Sequence, residues 1–303
     1  MKKIKWLLFI TIITAGMIPI QSCQSSKSTT AAKMLKFNFE KGKGYDYEMI
    51  TSMDQEIMGQ DMEMDMTAYY SMDVNDEDGE TKTITSTIDR FKMKMGLAGF
   101  NIDVDTDKPL PSFGEIDGED PMKMINTLFG AIKGRKFVMK VNAEGKVLDV
   151  TGFEDMAKQI VDSLPVDEAE REQMMAQFNE QFNAEKTKSQ FERAFYIFPN
   201  KQVKVGDSWE KKTDIGMKGM PGSYNSTYTV TEIEGDMVTL EEKTKLQTTE
   251  EGMDMQGNIK GTIVVDSRSG LVVTADQDMT MQMEAEGKKF ELKMKTKIKG
   301  KAR

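Results

Sequence analysis

Methionine is the residue type whose number and spacing in this chain most suggest chemistry. The sequence of 303 residues contains 27 methionines, and Met62, Met64 and Met66 alternate with acidic residues. A thioether is a soft ligand that selects Cu(I) or Ag(I), and it is also a flexible apolar group that adapts to varied surfaces. The spacing therefore allows two kinds of chemistry, soft-metal binding and apolar contact.

The spacing favours apolar contact over metal binding. Alternate residues of one strand have Cα atoms about 6.6 Å apart, which is too wide for three sulfurs on one ion without a neighbouring strand. Methionine also takes the place of leucine and isoleucine in the predicted helices, which indicates a general compositional preference. We therefore expect no metal site, and we keep Cu(I) or Ag(I) binding as a minor alternative.

The remaining reactive residue types exclude most catalysis. The chain has no histidine and one cysteine, which rules out Ser-His-Asp and Cys-His nucleophiles, His-ligated metals and Cys-based zinc sites. Acidic residues are abundant but alternate along predicted strands, so no spacing marks a catalytic carboxylate pair. We expect neither an enzyme nor a cofactor.

Charge and composition restrict the partners. Asp and Glu outnumber Lys and Arg by 50 to 41, the net charge is −9 and the isoelectric point is near 4.9. This balance argues against nucleic acid as a partner. Hydrophobic residues make up 38% of the chain, which is enough for a folded core.

The amino terminus predicts export. Three lysines among the first five residues precede an apolar run over 6–20, which is too short for a comfortable membrane span and fits a signal peptide over 1–22. The string Ile-Gln-Ser-Cys that ends at Cys23 resembles a bacterial lipobox. This resemblance implies cleavage before Cys23 and lipidation of that residue.

A short tether and an envelope location follow from the same segment. Residues 23–33 are rich in Ser, Thr, Ala and Lys and lack apolar periodicity, which is typical of a flexible linker. Position 24 is Gln, whereas an Asp there would resemble an inner-membrane retention signal, and no acidic cluster follows. We expect a lipid anchor in the outer membrane, with the protein facing the periplasm.

The order of the predicted elements gives the fold class. Apolar residues alternate with period two over 35–105 and again over 203–299, whereas helical spacing dominates 121–198 around a hairpin at 136–150. We predict one α+β domain over 34–300. Its expected architecture is a long curved antiparallel sheet, a half-barrel, with about four amphipathic helices packed on the concave face.

One hairpin allows a prediction of register. The apolar parity changes between Ile88 and Phe91, which predicts a β-bulge near residues 89–90. A turn over 75–79 would place Met66 opposite Ile88 and Tyr70 opposite Ile84.

Four short strings resemble a known family. The chain is similar, over roughly residues 34–300, to the family of unknown function DUF6263, found among Bacteroidetes-type lipoproteins. The strings that carry this resemblance lie at residues 39–42 together with Tyr45 and Tyr47, and at residues 89–95, 145–148 and 205–209. The family implies no activity, and none of the strings is a catalytic signature; the string at 205–209 predicts a tight turn before an anchoring Trp209. The order of elements also looks like that of LolA/LolB-like envelope carriers of lipoproteins or lipids.

These observations leave three functions open. The first is an envelope lipoprotein that binds or carries a lipid or another apolar ligand between sheet and helices. The alternatives are a structural or protein-interaction lipoprotein whose same side chains fill a solid core, and the soft-metal site. For the first function we predict the ligand-lining residues Met62, Met64, Met66, Tyr70, Phe91, Met93, Met281 and Met283.

Overall fold

Fourteen strands make up most of the part of the chain that the structure describes. The computed structural model describes residues 31–57, 60–97, 100–109, 130, 132–162, 166–181, 184–214, 222–248, 254–285 and 288–303. The strands are β1 (Lys33–Leu35), β2 (Gly44–Ile57), β3 (Gln60–Asp78), β4 (Thr81–Leu97), β5 (Phe100–Asp105), β6 (Lys136–Val141), β7 (Val147–Thr151), β8 (Lys201–Val203), β9 (Ser208–Asp214), β10 (Gly222–Glu234), β11 (Met237–Thr248), β12 (Asp254–Asp266), β13 (Leu271–Ala285) and β14 (Lys288–Ala302).

Three helices separate β7 from β8: α1 (Phe153–Asp162), α2 (Glu168–Gln181) and α3 (Ala184–Phe195). Helix α1 carries Glu154 and Asp155 in its first turn, where acids complement the helix dipole. Helix α2 begins with a reciprocal capping arrangement, since the backbone N–H of Glu170 donates to the Asp167 carboxylate and that of Asp167 donates to the Glu170 carboxylate.

Twelve strands form one antiparallel sheet. Its main path runs β7-β6-β4-β3-β2-β14-β13-β12-β11-β10-β9, and β5 pairs with the outer part of β4. The carboxyl-terminal β14 lies beside β2, so the two strand-rich parts of the chain join in the middle of the sheet. Strands β1 and β8 form a separate two-stranded sheet.

The β3–β4 hairpin confirms the predicted bulge and corrects the predicted register. Tyr69 pairs with Arg90 and Tyr70 with Ile88, so one extra residue lies at position 89 of β4. Met66 pairs with Met93 rather than with Ile88. The predicted register is wrong because β3 continues to Asp78, the turn is confined to residues 79–80, and a second register shift follows Val74.

The main core lies at one end of the sheet. Phe37, Phe39, Phe137 and Phe198 are at most 1% exposed, and the ring of Phe39 stacks on that of Tyr45 with centroids 3.7 Å apart. The segment before β2 is fixed there by backbone bonds from residue 37 to residue 143 and from residue 38 to residue 269. This packed end is called the closed core below.

The sheet is open, so the predicted half-barrel is wrong. Among the residues that the structure describes, no backbone pairing joins β7 to β9, the two ends of the main path. Helix α3 contacts both of these strands, and the Lys211 ammonium of β9 lies 2.6 Å from the Glu144 carboxylate in the β6–β7 turn. The two terminal strands are short, and helix α3 and side chains join them instead of ladder hydrogen bonds.

The helices also differ from the prediction. The described part of the chain contains three of them rather than four, and their main sheet contacts are with β6, β7 and β9. They do not lie across the middle of a concave face, because the apolar side chains of α3 pack against the end strands; the Phe191 ring lies 5.0 Å from that of Phe137. Most of the helix predicted from residue 121 lies outside the described residues.

Several predictions fall on residues that are not described. They include the signal peptide over 1–22, Cys23 and nearly all of the tether over 23–33. Among the described helices, none is long and apolar enough to cross a membrane.

Candidate functional site

A row of methionines crosses the middle of the sheet. In an antiparallel ladder, residues directly opposite each other point to the same face. Seven adjacent strands, from β12 to β5, contribute one residue each to a continuous register: Ile259, Met279, Met294, Met53, Met64, Met95 and Ile102. Seven strands at a spacing of about 4.8 Å give this row a width of about 29 Å.

The next row toward the closed core adds methionines on β3 and β4. Met66 pairs with Met93, and Met93 with Val104 of β5. The alternate positions of these strands carry charged side chains on the other face, where Lys94 is paired with Asp65. We call the apolar surface formed by these two rows the methionine face.

The methionine face is less buried than the closed core. Met53, Met64, Met66, Met93, Met95 and Met294 are partly exposed, whereas Met279 is 7% exposed and Ile259 is 1% exposed. The main contacts of the described helices are with the terminal strands. The face therefore presents flexible thioether side chains that the described helices do not cover.

The structure places the predicted lining residues in two groups. Met62, Met64, Met66, Tyr70, Phe91 and Met93 lie together on β3 and β4, and all six are partly exposed. Met281 and Met283 lie on β13, which β14 and β2 separate from β3. Met281 packs against a small second cluster formed by Leu246 and Met255. The residues that sequence reasoning did not include, and that connect the two groups, are Met53, Met279 and Met294.

A row of polar residues borders the methionine face on the side of the closed core. It runs through Thr51, Thr296, Gln277, Gly261, Glu242 and Tyr228 on six adjacent strands. Glu242 is only 3% exposed and Thr51 only 8%. We call this set the polar row. It was not predicted, although the sequence shows polar residues in several strands at positions where the alternation would place apolar ones.

Directional hydrogen bonds hold the Glu242 carboxylate. The Thr244 hydroxyl lies 2.7 Å from Glu242 Oε1 and 2.7 Å from Ser226 Oγ, so it donates to the acid and accepts from the serine. The Gln277 amide donates to the other carboxylate oxygen. Its side chain passes over Gly261, where a Cβ atom would lie 2.8 Å from Gln277 Cγ. Only glycine leaves room for this bond across the strand.

Tyr228 extends the same network toward α3. Burial raises the pKa of Tyr228, the nearby Glu242 charge raises it further, and the hydrogen bond to Ser226 and the Arg193 charge oppose this effect. Arg193 belongs to α3, and its guanidinium lies 4.9 Å from the centre of the Tyr224 ring. One end of the polar row is thus next to the helix that contacts both terminal strands.

The most motif-like string of the sequence has a structural role. The tight turn predicted within residues 205–209 is present: Gly206 has a positive φ of 92°, and the Lys204 N–H donates to the Asp207 carboxylate at 3.0 Å. Trp209 follows, 9% exposed, and its indole N–H donates to the carbonyl of Ile197 at 2.8 Å. These contacts join β9 to the segment after α3.

An ion pair beside the bulge has a similar structural role. The Arg90 guanidinium donates to both Asp105 carboxylate oxygens, at 2.9 and 2.7 Å. These bonds hold the pKa of Asp105 well below its usual range. Within the described ranges there is no group of three or more Asp, Glu, Cys or His side chains that could hold a metal ion.

Comparison with solved structures shows a related fold. No curated protein matches the sequence. A structure described as "Lipid-protein interactions in lipovitellin" superimposes with a TM-score of 0.50 and 11% sequence identity, over 88% of this chain and 26% of the other. The chain thus spans about a quarter of the length of that protein. At this identity the likeness concerns the fold alone.

Comparison with family models identifies the family. The model described as "Family of unknown function (DUF6263)" matches residues 79–272. This match covers β4 to β12 completely, with the three helices between them. It extends over well more than half of the chain, and the protein therefore belongs to the DUF6263 family.

Proposed function

We propose that the protein binds an apolar ligand, such as the acyl chains of a lipid, on the methionine face. The observation that carries this proposal is the register of five methionines on five adjacent strands, four of them partly exposed. Thioether side chains are unbranched and polarizable, and they repack around ligands of different shape. Such a surface suits a class of chains better than one rigid ligand.

The dimensions of the face fit an acyl chain. A width of about 29 Å is longer than the extended chain of a common membrane lipid. Each methylene group removed from water contributes about 0.8 kcal/mol, so a chain that buries half of its methylenes gains several kcal/mol. The polar row ends the apolar surface on one side, because Thr296 and Gln277 are partly exposed there and an acyl chain that covered them would remove their polar groups from water.

The fold comparison supports the same class of ligand. The lipovitellin structure is described for its lipid–protein interactions, and it superimposes on 88% of this chain. The lipid anchor implied by Cys23 would keep the protein at a membrane, where lipids are available. We include the anchor and the periplasm-facing outer-membrane location in this proposal.

Lipid analysis of the purified protein tests the proposal. Organic extracts of protein purified in a detergent without acyl chains are analysed by mass spectrometry and normalised to protein. The result that we expect is lipid at close to one molecule per chain. Replacement of Met64 and Met95 by Gln should remove most of it, because two polar amides in the centre of the face lose apolar contact.

The matched control lies on the other face of the same strands. Glu63 and Lys94 are exposed neighbours of the two methionines, and their replacement by Gln should leave the lipid content unchanged. Wild-type protein without lipid would contradict the proposal. So would equal lipid in the two double variants, which would place the ligand elsewhere.

The register also supports a second candidate, soft-metal binding. Met64 pairs with Met95 and Met66 pairs with Met93, so four thioethers occupy the corners of a cross-strand square. Directly paired residues have Cβ atoms about 5 Å apart, which is close enough for the sulfurs of neighbouring strands to share a Cu(I) ion. A single strand cannot provide this geometry.

Titration with Cu(I) against a chromogenic chelator tests the second candidate. Binding of one ion per chain that is lost in a Met66→Leu, Met93→Leu variant would support it. Leucine keeps the face apolar, so this variant should still bind lipid. Unchanged copper affinity in the variant would refute the four-thioether site and leave the lipid proposal intact.

A further inference from the structure

A lysine-lined depression crosses four strands of the sheet, and eight of its twelve lining residues lie on the face opposite the methionine face. It has a volume of about 750 Å³ and lies across β9 to β12. Its exposed side chains come from two neighbouring rows, and the basic ones are Lys212, Lys243, Lys245 and Lys260. Glu210 is the one acid among the lining residues, so the depression is positive in a chain whose net charge is −9.

These lysines differ from the other lysines of the same sheet face. On β14, alternate lysines lie within 4 Å of a carboxylate: Lys295 of Asp278, Lys297 of Asp276, Lys299 of Glu48 and Lys301 of Asp46. Within the described part of the chain, Lys212, Lys245 and Lys260 have no ion pair, and Lys243 pairs with Glu241 of its own strand at 3.0 Å. Asp278, the β13 neighbour of Lys260, lies 3.9 Å from Lys295.

Two of the lysines are direct cross-strand partners. Lys243 of β11 is opposite Lys260 of β12, and like charges in this position destabilise a sheet. The same row contains Thr227 on β10 and Glu210 on β9, and the next row contains Asn225, Lys245 and Asn258. The two ammonium groups thus repel each other in the middle of a concave surface, and amide and hydroxyl groups surround them.

We propose that the lysine-lined depression binds an anionic, phosphate-bearing group. A phosphate between Lys243 and Lys260 would replace their repulsion by two attractive contacts, and the asparagine amides offer further donors. Lysine suits such a group because it acts as a mobile point charge on a flexible stem. The site is on the opposite face from the proposed lipid surface, and it does not depend on that proposal.

Calorimetric titration of the purified full-length protein with soluble phosphate compounds tests the site. The probes are glycerol 3-phosphate and dihexanoyl phosphatidic acid below its micelle concentration, with dihexanoyl phosphatidylcholine as a zwitterionic control. We expect at least one anionic probe to bind at least ten times more tightly than the control. Added salt should weaken this binding, because the contacts are exposed ion pairs.

The two anionic probes distinguish the source of the phosphate. Tighter binding of dihexanoyl phosphatidic acid than of glycerol 3-phosphate assigns the site to a lipid head group. Equal binding assigns it to soluble phosphate compounds. Absence of binding for both probes overturns the proposal.

Lysine variants test where the phosphate binds. Lys243→Gln with Lys260→Gln should lower the affinity for the anionic probe at least ten-fold. Lys297→Gln, an exposed lysine on the same sheet face with its own carboxylate partner, should leave it unchanged. Equal effects of the two variants would overturn the proposal.

A melting curve gives a second readout for one of these lysines. Replacement of Lys260, which has no ion pair within the described residues, by Gln should raise the midpoint of thermal unfolding in the absence of ligand, because it removes the like charge opposite Lys243. A lower midpoint would show that Lys260 stabilises the fold, and would overturn its assignment to a ligand.

Discussion

Replacing Glu242 by Met tests whether the polar row depends on its buried acid. The carboxylate is 3% exposed and accepts bonds from Thr244 and Gln277. Its loss leaves the Gln277 amide without its acceptor, whereas the Thr244 hydroxyl can turn toward Ser226, 2.7 Å away. Bonds to a charged group contribute about 1.5–3 kcal/mol each, and the partly exposed Gln277 amide regains only part of its lost bond from water. We expect a net loss of about 2–4 kcal/mol in the free energy of unfolding.

A second replacement should rescue the first. Glu242→Met combined with Gln277→Met removes both the acceptor and the stranded amide, and it joins the closed core to the methionine face with apolar side chains. Apolar replacement of both partners of a buried polar pair is often neutral or stabilising. The double variant should therefore be within about 1 kcal/mol of wild type, which is a strongly non-additive result.

Urea unfolding followed by circular dichroism measures these differences. The matched control is Glu232→Met, an exposed acid on the adjacent strand β10, which should change the free energy of unfolding by less than about 0.5 kcal/mol. A Glu242→Met variant that loses no more stability than this control would show that the buried acid does not stabilise the polar row. A double variant less stable than the single one would contradict the expected rescue.

Two further predictions concern the closed core and the bulge. Gly145→Ala should destabilise the fold far more than Gly79→Ala. Both glycines have positive φ, but a Cβ at Gly145 would lie 1.7 Å from the carbonyl of Phe195, whereas a Cβ at Gly79 would meet open space. Equal shifts in the midpoint of thermal unfolding would contradict this prediction. Asp105→Asn should destabilise at pH 7, because Arg90 lowers the pKa of Asp105 in the folded state. That stability is present above the unfolded pKa near 3.9 and is lost as pH falls toward the folded value, so urea midpoints of variant and wild type should converge in strong acid.

Local patterns of the sequence predicted the strands well. A period of two identified the long strands, because one face of each is apolar, and the parity change after Ile88 located the bulge at residue 89. The register failed where turn chemistry was ambiguous. Residues 75–79 contain several turn formers, yet β3 runs through most of them, and Gly79 takes the positive φ of the turn.

Long-range arrangement was less predictable. Amphipathic spacing shows that α3 buries one face, but it does not say which strands that face meets. The half-barrel was expected because long strands with one apolar face can curve, and amphipathic helices can then close the curved sheet. In the structure, α3 contacts the two terminal strands of an open sheet instead.

The candidate site shows the same division. Alternation placed Met62, Met64, Met66 and Met93 on one face, since parity is a local property. It could not show that Met53 and Met294 connect them to Met281, because strand order decides which rows join. The polar row was not predicted for the same reason. In the sequence, Glu242 and Gln277 are polar residues in two separate apolar patterns, and only the pairing of β11 and β13 with β12 places them on either side of Gly261.

The contacts of α3 have a consequence for self-association. Unpaired strand edges are templates for pairing with another chain, and one helix contacts the terminal strands at both ends of the main path. Detachment of α3 would therefore remove its contacts with β7 and β9 together. A molecule with one bare edge can only dimerise through it, whereas a molecule with two can accept a neighbour on each side and grow into a polymer.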